Sequence, residues 1–392
     1  MAFSRRALIV GDGAARSALA GARALHAAGW TVGIGTPTAG GLAAASRATT
    51  ARHRVPAPGD GVEEFTAAVA AAVERRRYQL VFGGGDAEVL ALSLARDELG
   101  ATVPYPPHAV VARALDKLRL TDAARIAGVE TPRTWPTPEA AAAEHGGTVC
   151  VKARVHGPPD RPGAPARTVM EIAPHPRAAE RRVAQIAALG GESLIQELVD
   201  GRLVAFATVA DTAGAPVAAV EQVAEATWPP HAGVTSRGHT VPVEPPLADA
   251  VAALLRELGW FGLAQVQFIV PADGEPRLID LNGRFYGSLA LATGAGVNLP
   301  AIWAGLATGE PVPHAPAARA ERYQWLEGDL RRALAHSDGR RGRELAGCLR
   351  YAVGARHSVA SLRDPAPVLH VLVSGARRAF ARRADVGHGP PL

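Results

Sequence analysis

The sequence predicts an α/β fold with α+β units after a parallel sheet, and three observations carry that prediction. Ala7-Leu8-Ile9-Val10 is a short apolar run of the kind that forms a buried parallel strand. A tight turn, Gly11-Asp12-Gly13, and an alanine-rich helical segment from Ala14 to Ala28 follow it. The alternation then recurs, with strand at Thr31 to Gly35, helix at Val62 to Arg77, strand at Gln79 to Phe82 and helix at Ala87 to Leu99. Alternating strands and helices imply a parallel sheet with helices on both faces.

Near residue 101 the character changes. Pro104, Pro106 and Pro107 mark a connector, and the periodicity from Pro107 through Leu120 to Ala127 predicts one helical stretch closed by Gly128. Residues 148–200 read as strand, proline-rich loop, strand, helix, strand. The loop, Ala153 to Arg167, holds Gly157 and Gly163 with four prolines, and it is a candidate lid. Val204 to Ala210 and Pro216 to Val223 predict an antiparallel pair around Asp211 to Gly214. Pro246 to Leu258 reads as an amphipathic helix. Leu263 to Val270 and Arg277 to Leu281 read as a hairpin around Asp273-Gly274. Beyond Pro311 the pattern predicts helices, Arg322 to Ala335 and Val368 to Ala384.

The 392-residue length suits two to four subdomains, and 48% hydrophobic with 20% charged residues is ordinary for a soluble globular chain. A net charge of +5 is modest over this length and suits anionic small molecules. Nucleic-acid recognition calls for clustered basic residues with interleaved aromatics, or a zinc or helix-turn-helix pattern, and none is present. The densest basic stretch, Arg377 to Arg383, reads as a solvated terminal helix ahead of a membrane-lying segment. Cys150 and Cys348 are too few for a disulfide framework and have no metal-ligand spacing, which fits a cytoplasmic location. Arg5-Arg6 lacks the apolar region of a signal peptide after it, and no run reaches the ~18 apolar residues of a membrane span.

Of 42 basic residues only two, Lys117 and Lys152, are lysine. Either alone reads most simply as a solvated surface lysine. Together with Asp280-Leu281-Asn282-Gly283-Arg284 far downstream, they point to a nucleoside triphosphate and its metal. Lysine is a compact charge that binds phosphate oxygens without planar demands. Side chains alternate along a strand, so Asp280 and Asn282 share a face and can offer oxygens to Mg²⁺ or Mn²⁺. Gln267, on the partner strand, can add an amide oxygen. Arg284 can reach a phosphoryl group or a carboxylate. A strand end capped beside a turn is the lesser alternative for Asp280 and Asn282. Asp86 ends a strand, where open α/β sheets place ligands, and equally suits a helix cap. Arg237 stands in Gly233-Val234-Thr235-Ser236-Arg237-Gly238, a segment that reads as a ligand loop or an exposed loop. In the Gly11-x-Gly13 turn, Arg16 replaces the third glycine of a dinucleotide fingerprint, so a plain strand–helix turn is preferred.

The chain resembles ATP-grasp enzymes, most of all the carboxylate–amine ligase branch related to carbamoyl-phosphate synthase and D-alanine ligase. The matching pieces run in order. They are Asp116-Lys117 with Ala127 to Pro132, the strand Val149 to Lys152, the hinge-like Leu194 to Gly201, and Leu278 to Arg284 with Gly287-Ser288. The resemblance covers about residues 5–310. It implies an N-terminal Rossmann-like domain over 1–105, a lid lobe over 106–195, a large lobe with the metal site over 196–310, and a helical C-terminal extension over 311–392.

The resemblance also implies roles. Lys117 and Lys152 would contact ATP phosphates, and the hinge Gln196, Glu197, Leu198 and Val199 would hold adenine, largely through backbone. Asp280 and Asn282 would bind Mg²⁺, and Arg284 would steady the phosphoryl group. Asp86 would lie near a substrate amine, and Arg237 or Arg284 near a carboxylate. Two positions depart from the family. Gln267 stands where an acid is usual, and Leu203 where a ribose-binding glutamate is usual, with Glu197 a candidate substitute. The implied reaction activates a carboxylate as an acyl phosphate and couples it to an amine. Both substrates would be small molecules, with no nucleic acid or membrane partner, and self-association as a homodimer stays open. A bicarbonate-activating carboxylase or carbamoyl-phosphate-type enzyme is the alternative reaction, and a nucleotide-binding regulatory protein without catalysis the alternative class. A nicotinamide oxidoreductase ranks last.

Overall fold

The computed structural model describes residues 5–156, 170–230, 233–272, 274–311, 316–336 and 339–374. The N-terminal apolar runs form the strands β1 (Arg6–Val10), β2 (Thr31–Thr36), β3 (Thr49–Arg54) and β4 (Leu80–Gly83), in the order β3-β2-β1-β4. All pairings are parallel. The helices α1 (Arg16–Ala27), α2 (Leu42–Ala45), α3 (Val62–Arg76) and α4 (Asp86–Leu94) follow the strands. The sequence does not announce β3, because Thr49–Arg54 has no apolar run and sits at the sheet edge. The helix expected up to Leu99 stops at Leu94, and a 3-10 turn, Arg96–Glu98, continues the chain.

The predicted continuous helix after Pro107 is two helices, α5 (His108–Leu115) and α6 (Lys117–Ile126). Asp116 separates them in extended conformation, with its carboxylate accepting the Leu118 and Arg119 amides at 3.0 and 3.4 Å. This is an N-cap, and it outweighs the helical periodicity on both sides.

A smaller unit holds β5 (Thr134–Trp135), α7 (Pro138–Glu144), β6 (Val149–Ala153), β7 (Glu171–Ala173), α8 (Glu180–Ala188) and β8 (Ser193–Glu197). Its antiparallel sheet runs β5-β8-β6-β7. Trp135, Val149, Val151, Ile186 and Ile195 build a core separate from that of the rest of the chain. Most of the candidate lid loop, from residue 157 onward and including Arg161 and Arg167, lies outside the described residues.

The remaining elements surround a larger sheet. They are β9 (Arg202–Ala210), β10 (Pro216–Trp228), β11 (Val234–Val241), α9 (Pro245–Leu258), β12 (Gly262–Val270), β13 (Arg277–Asn282), α10 (Leu289–Gly294), α11 (Leu299–Ala307), β14 (Arg322–Gln324), α12 (Leu326–Ala335), α13 (Arg341–Ala352) and β15 (Arg356–His357). The sheet order is β13-β12-β9-β10-β11-β14-β15. Two expectations are corrected here. Residues 233–238, expected as a loop, fall from Val234 onward in strand β11, paired with β10 and β14. The segment after 311 is not wholly helical, because β14 and β15 extend this sheet. Among the described residues, no helix is long and apolar enough to cross a membrane.

One aromatic group locks the N-terminal sheet to the large lobe. The Trp303 ring of α11 lies 4.6 Å from Phe82, 5.2 Å from Tyr105 and 5.6 Å from Phe285. Phe285 also packs so tightly on α1 that a Cβ on Gly21 would lie 2.6 Å from its ring. Such aromatic pairs add about 0.5–1.5 kcal/mol each beyond the area they bury.

The smaller unit meets this body at Asp116. Arg154 grips the Asp116 carboxylate with Nε at 2.9 Å and Nη2 at 2.7 Å, and the Lys117 amide donates to the Arg154 carbonyl at 3.1 Å. Asp116→Ala should therefore cost about 2–4 kcal/mol, through loss of the cap and of a nearly buried partner for Arg154. Urea unfolding of the variant against wild type measures it, and a loss below about 0.5 kcal/mol would refute this account of the Asp116 junction.

Candidate active site

The hairpin β12–β13 places Gln267 opposite Asp280 and Gln265 opposite Asn282. The pairing then skips Ile279, a bulge between Gln267 and Phe268 on the partner side. Asp280 Oδ1 accepts the Leu281 amide at 3.0 Å and lies 3.8 Å from Lys117 Nζ. The lysine that opens α6 thus reaches the acid of the hairpin, and its side chain is only 11% exposed.

Asn282 is aimed by a buried polar chain that the sequence did not reveal. Its Nδ2 donates to Gln265 Oε1 at 3.3 Å, and Gln265 Nε2 donates to Ser288 Oγ at 3.4 Å. Gln222 Nε2 completes the chain to Ser288 Oγ at 2.8 Å. With its amide nitrogen spent, Asn282 presents its oxygen as an acceptor. Asp280, Asn282 and Gln267 stand at register positions of one hairpin face and could together offer oxygen donors with one charge among them. That set suits Mg²⁺, which uses one or two carboxylates and keeps room for waters and phosphate oxygens. Among the described residues, no group of three or more His, Cys, Asp or Glu side chains could hold a metal ion.

Lys152, on β6, donates to Gln196 Oε1 on β8 at 2.6 Å, and Gln196 Nε2 donates to Thr134 Oγ1 at 3.0 Å. At the end of β8 the Glu197 amide is spent on the Arg133 carbonyl at 2.9 Å and the Leu198 amide on the Thr148 carbonyl at 3.2 Å. The Val199 amide has no partner among the described residues, so an edge-on acceptor can meet it there. The Glu197 carboxylate lies 3.5 Å from Arg133 and 3.8 Å from Arg277.

Arg284 and Asp86 come together from opposite parts of the chain. Arg284 Nε donates to Asp86 Oδ1 at 2.6 Å, and Nη1 donates to the Phe285 carbonyl at 3.2 Å. His156 Nδ1 lies 3.2 Å from the other Asp86 oxygen. Burial opposes ionisation of Asp86, but the Arg284 charge and the His156 contact outweigh it and hold the carboxyl well below the usual carboxylate range. Asp86 thus has both oxygens engaged by protein groups, and Arg284 keeps Nη2 without a partner among the described residues. Gly283 is fixed by sterics, since a Cβ there would lie 2.2 Å from the Trp260 ring. Arg237 lies elsewhere. On β11 it pairs with the buried Asp329 and sits 5.3 Å from the Tyr351 ring, and it makes no bond to Asp86, Asp280 or Arg284 among the described residues.

Glu88, one turn into α4, escaped the sequence reading. Burial pushes its carboxyl up to about 7, and Asp86 and Asp12 add to the rise against the pull of its own amide and Arg284. A carboxyl raised from its ordinary 4.5 to about 7 favours folding while protonated. That contribution is complete below 4.5 and is lost as pH rises through about 7. Asp86 has the opposite sign, and its contribution is lost only in acid below the ordinary carboxylate range. Between pH 4.5 and 7, wild type should therefore lose about 3 kcal/mol relative to Glu88→Gln. Urea unfolding across that range measures it, and parallel curves for the two proteins would contradict the burial of a titrating Glu88.

Residues 194–328 match the family described as ATP-grasp in the biosynthetic pathway with Ter operon. A search of the curated proteins finds no match. Among solved structures, the chain is similar to the biotin carboxylase domain of Hydrogenobacter thermophilus 2-oxoglutarate carboxylase, solved with MgADP and bicarbonate, with a TM-score of 0.62 and 15% identity over 81% of this chain and 73% of that one. It is similar to an ADP complex of N5-carboxyaminoimidazole ribonucleotide synthetase, with a TM-score of 0.61 and 14% identity over 81% and 80% of the two chains. It is also similar to the L-amino acid ligase of Bacillus licheniformis, with a TM-score of 0.60 and 13% identity over 81% and 79%. The sequence match over residues 194–328 and the fold around it identify an ATP-grasp domain in this chain.

Proposed function

We propose that the protein is an ATP- and Mg²⁺-dependent ligase that activates a carboxylate and couples it to an amine. The observation that carries the reading is the convergence of Lys117 on the Asp280–Asn282–Gln267 hairpin, with Arg284 two residues beyond it. Asp280, Asn282 and Gln267 would hold Mg²⁺, which supplies charge neutralisation on the phosphates. The Val199 amide would take the nucleobase edge, and Lys117 and Lys152 the phosphate oxygens. The separation into two lobes with independent cores supports closure of one over the other.

In the reaction, a substrate carboxylate oxygen attacks the terminal phosphorus of ATP. An O–P bond forms, the bond to ADP breaks, and an acyl phosphate results. The amine then attacks the carbonyl carbon, a C–N bond forms, the C–O bond to phosphate breaks, and the amine loses a proton. Phosphoryl transfer of this kind needs positioning and charge stabilisation more than covalent help. Arg284 Nη2, without a partner among the described residues, would stabilise charge on the transferred group or the leaving phosphate, and Asp86 holds the guanidinium so that little reorganisation is needed.

An ADP-release screen over pairs of carboxylic acids and amines, with mass spectrometry of the products, tests the reading. Release that needs both partners supports the amide ligase. Release driven by bicarbonate alone would replace it with a carboxylase, and nucleotide binding without release with a regulatory binder. Asp280→Asn should lower turnover by roughly a hundredfold or more while the circular dichroism spectrum is kept, since it removes the one charged oxygen of the donor set. Lys152→Ala should weaken a non-hydrolysable ATP analogue by about tenfold in calorimetry. Unchanged affinity in a folded Lys152→Ala protein would remove the phosphate role of that lysine.

A further inference from the structure

The Gly11-Asp12-Gly13 turn delivers Arg16 to the first position of α1, where the sequence showed only a missing glycine. Arg16 Nη1 donates to Tyr323 Oη at 2.9 Å, and the guanidinium carbon lies 3.9 Å from the centre of the Trp325 ring. Tyr323 Oη donates in turn to the Gly287 carbonyl at 2.8 Å. A Cβ on Gly287 would lie 3.3 Å from Arg16 Nη2, so the guanidinium rests against the loop that follows Arg284. The turn itself touches the end of β4, where a Cβ on Gly11 would lie 3.1 Å from the Gly84 Cα, two residues before Asp86. Arg16 and Asp86 thus stand on the helices that follow β1 and β4, two adjacent strands of the parallel sheet, at the C-terminal edge where open α/β sheets bind ligands.

Arg16 differs from several arginines around it in its partners. The partly buried Arg23, Arg237 and Arg284 each face an acid, at Asp364, Asp329 and Asp86. Arg16 has no carboxylate partner among the described residues. It is oriented by a hydroxyl and a ring face, and Nε and Nη2 have no hydrogen-bond partner among the described residues. That leaves a preorganised fork for a carboxylate, a geometry lysine cannot supply. Exposed Asp12, on the same turn, spends one oxygen on the Ala14 amide at 2.9 Å and keeps the other for a cation.

We propose that Arg16 receives the carboxylate of an amino-acid substrate, with Asp12 supplying charge for its ammonium group. The proposal rests on the ligase reading and adds to it a substrate class and a binding residue. Hydrogen exchange of the peptide over residues 11–20 tests it, in wild type and Arg16→Gln. Each protein carries a non-hydrolysable ATP analogue and Mg²⁺, with and without an equimolar mixture of the proteinogenic L-amino acids.

The mixture should slow exchange in wild type, and Arg16→Gln should need roughly tenfold to hundredfold more of it for the same effect. Arg16→Lys, which keeps the charge and loses the fork, should fall between them, and it serves if the glutamine variant melts early. Equal protection in wild type and variants, or none in wild type, overturns the proposal. The nucleotide reading is scored separately in the same samples by protection of residues 196–199. If the ATP analogue gives none there, the ligase reading falls while the comparison of Arg16 variants still decides the amino-acid site.

Discussion

The contact between Asp86 and Arg284 spans 198 positions and fixes the relation of the N-terminal sheet to the hairpin. A buried ion pair of this kind is weak evidence for stability, because desolvating both charges offsets much of their attraction. Its value lies in geometry. Phe285, the next residue, is clamped among Phe82, Trp303 and Gly21, so the backbone that carries Arg284 has one place to lie. Apolar packing sets the position of the guanidinium, and Asp86 sets its angle.

The hairpin shows a different economy of charge. Where a second acid is usual in the resemblance, Gln267 faces Asp280, and the nearest positive charge is Lys117 at 3.8 Å. A second carboxylate here would add repulsion beside Asp280 in the absence of a cation. The amide keeps the oxygen donor and removes that repulsion. The chain Gln222–Ser288–Gln265–Asn282 then supplies the orientation that charge would otherwise provide. A fully paired buried network is rigid, and an unpaired member would be costly.

Much of this arrangement was legible in the sequence. Apolar runs gave β1, β2, β4 and β12, and alternation gave Asp280 and Asn282 a common face. What escaped was encoded in contacts between distant residues. Strand β3 is polar and edge-lying, and β14 and β15 are too short to carry a period. Strand β11 contains Gly238 and polar residues that read as loop, yet its hydrogen bonds to β10 and β14 decide its state. The break at Asp116 depends on Arg154, 38 residues away, as much as on the cap. Arg16 is visible only once Tyr323 and Trp325 are brought beside it.

The sheet β5-β8-β6-β7 has its own small core, built on Trp135 and Ile195, while the N-terminal sheet and the large sheet share another. Cooperative units of unequal size open at unequal free energies. The smaller unit carries Lys152 and Gln196, so it can melt while the larger body stays folded. Heat should then disorder the smaller unit before the larger body, and a calorimetric scan should show two events rather than one.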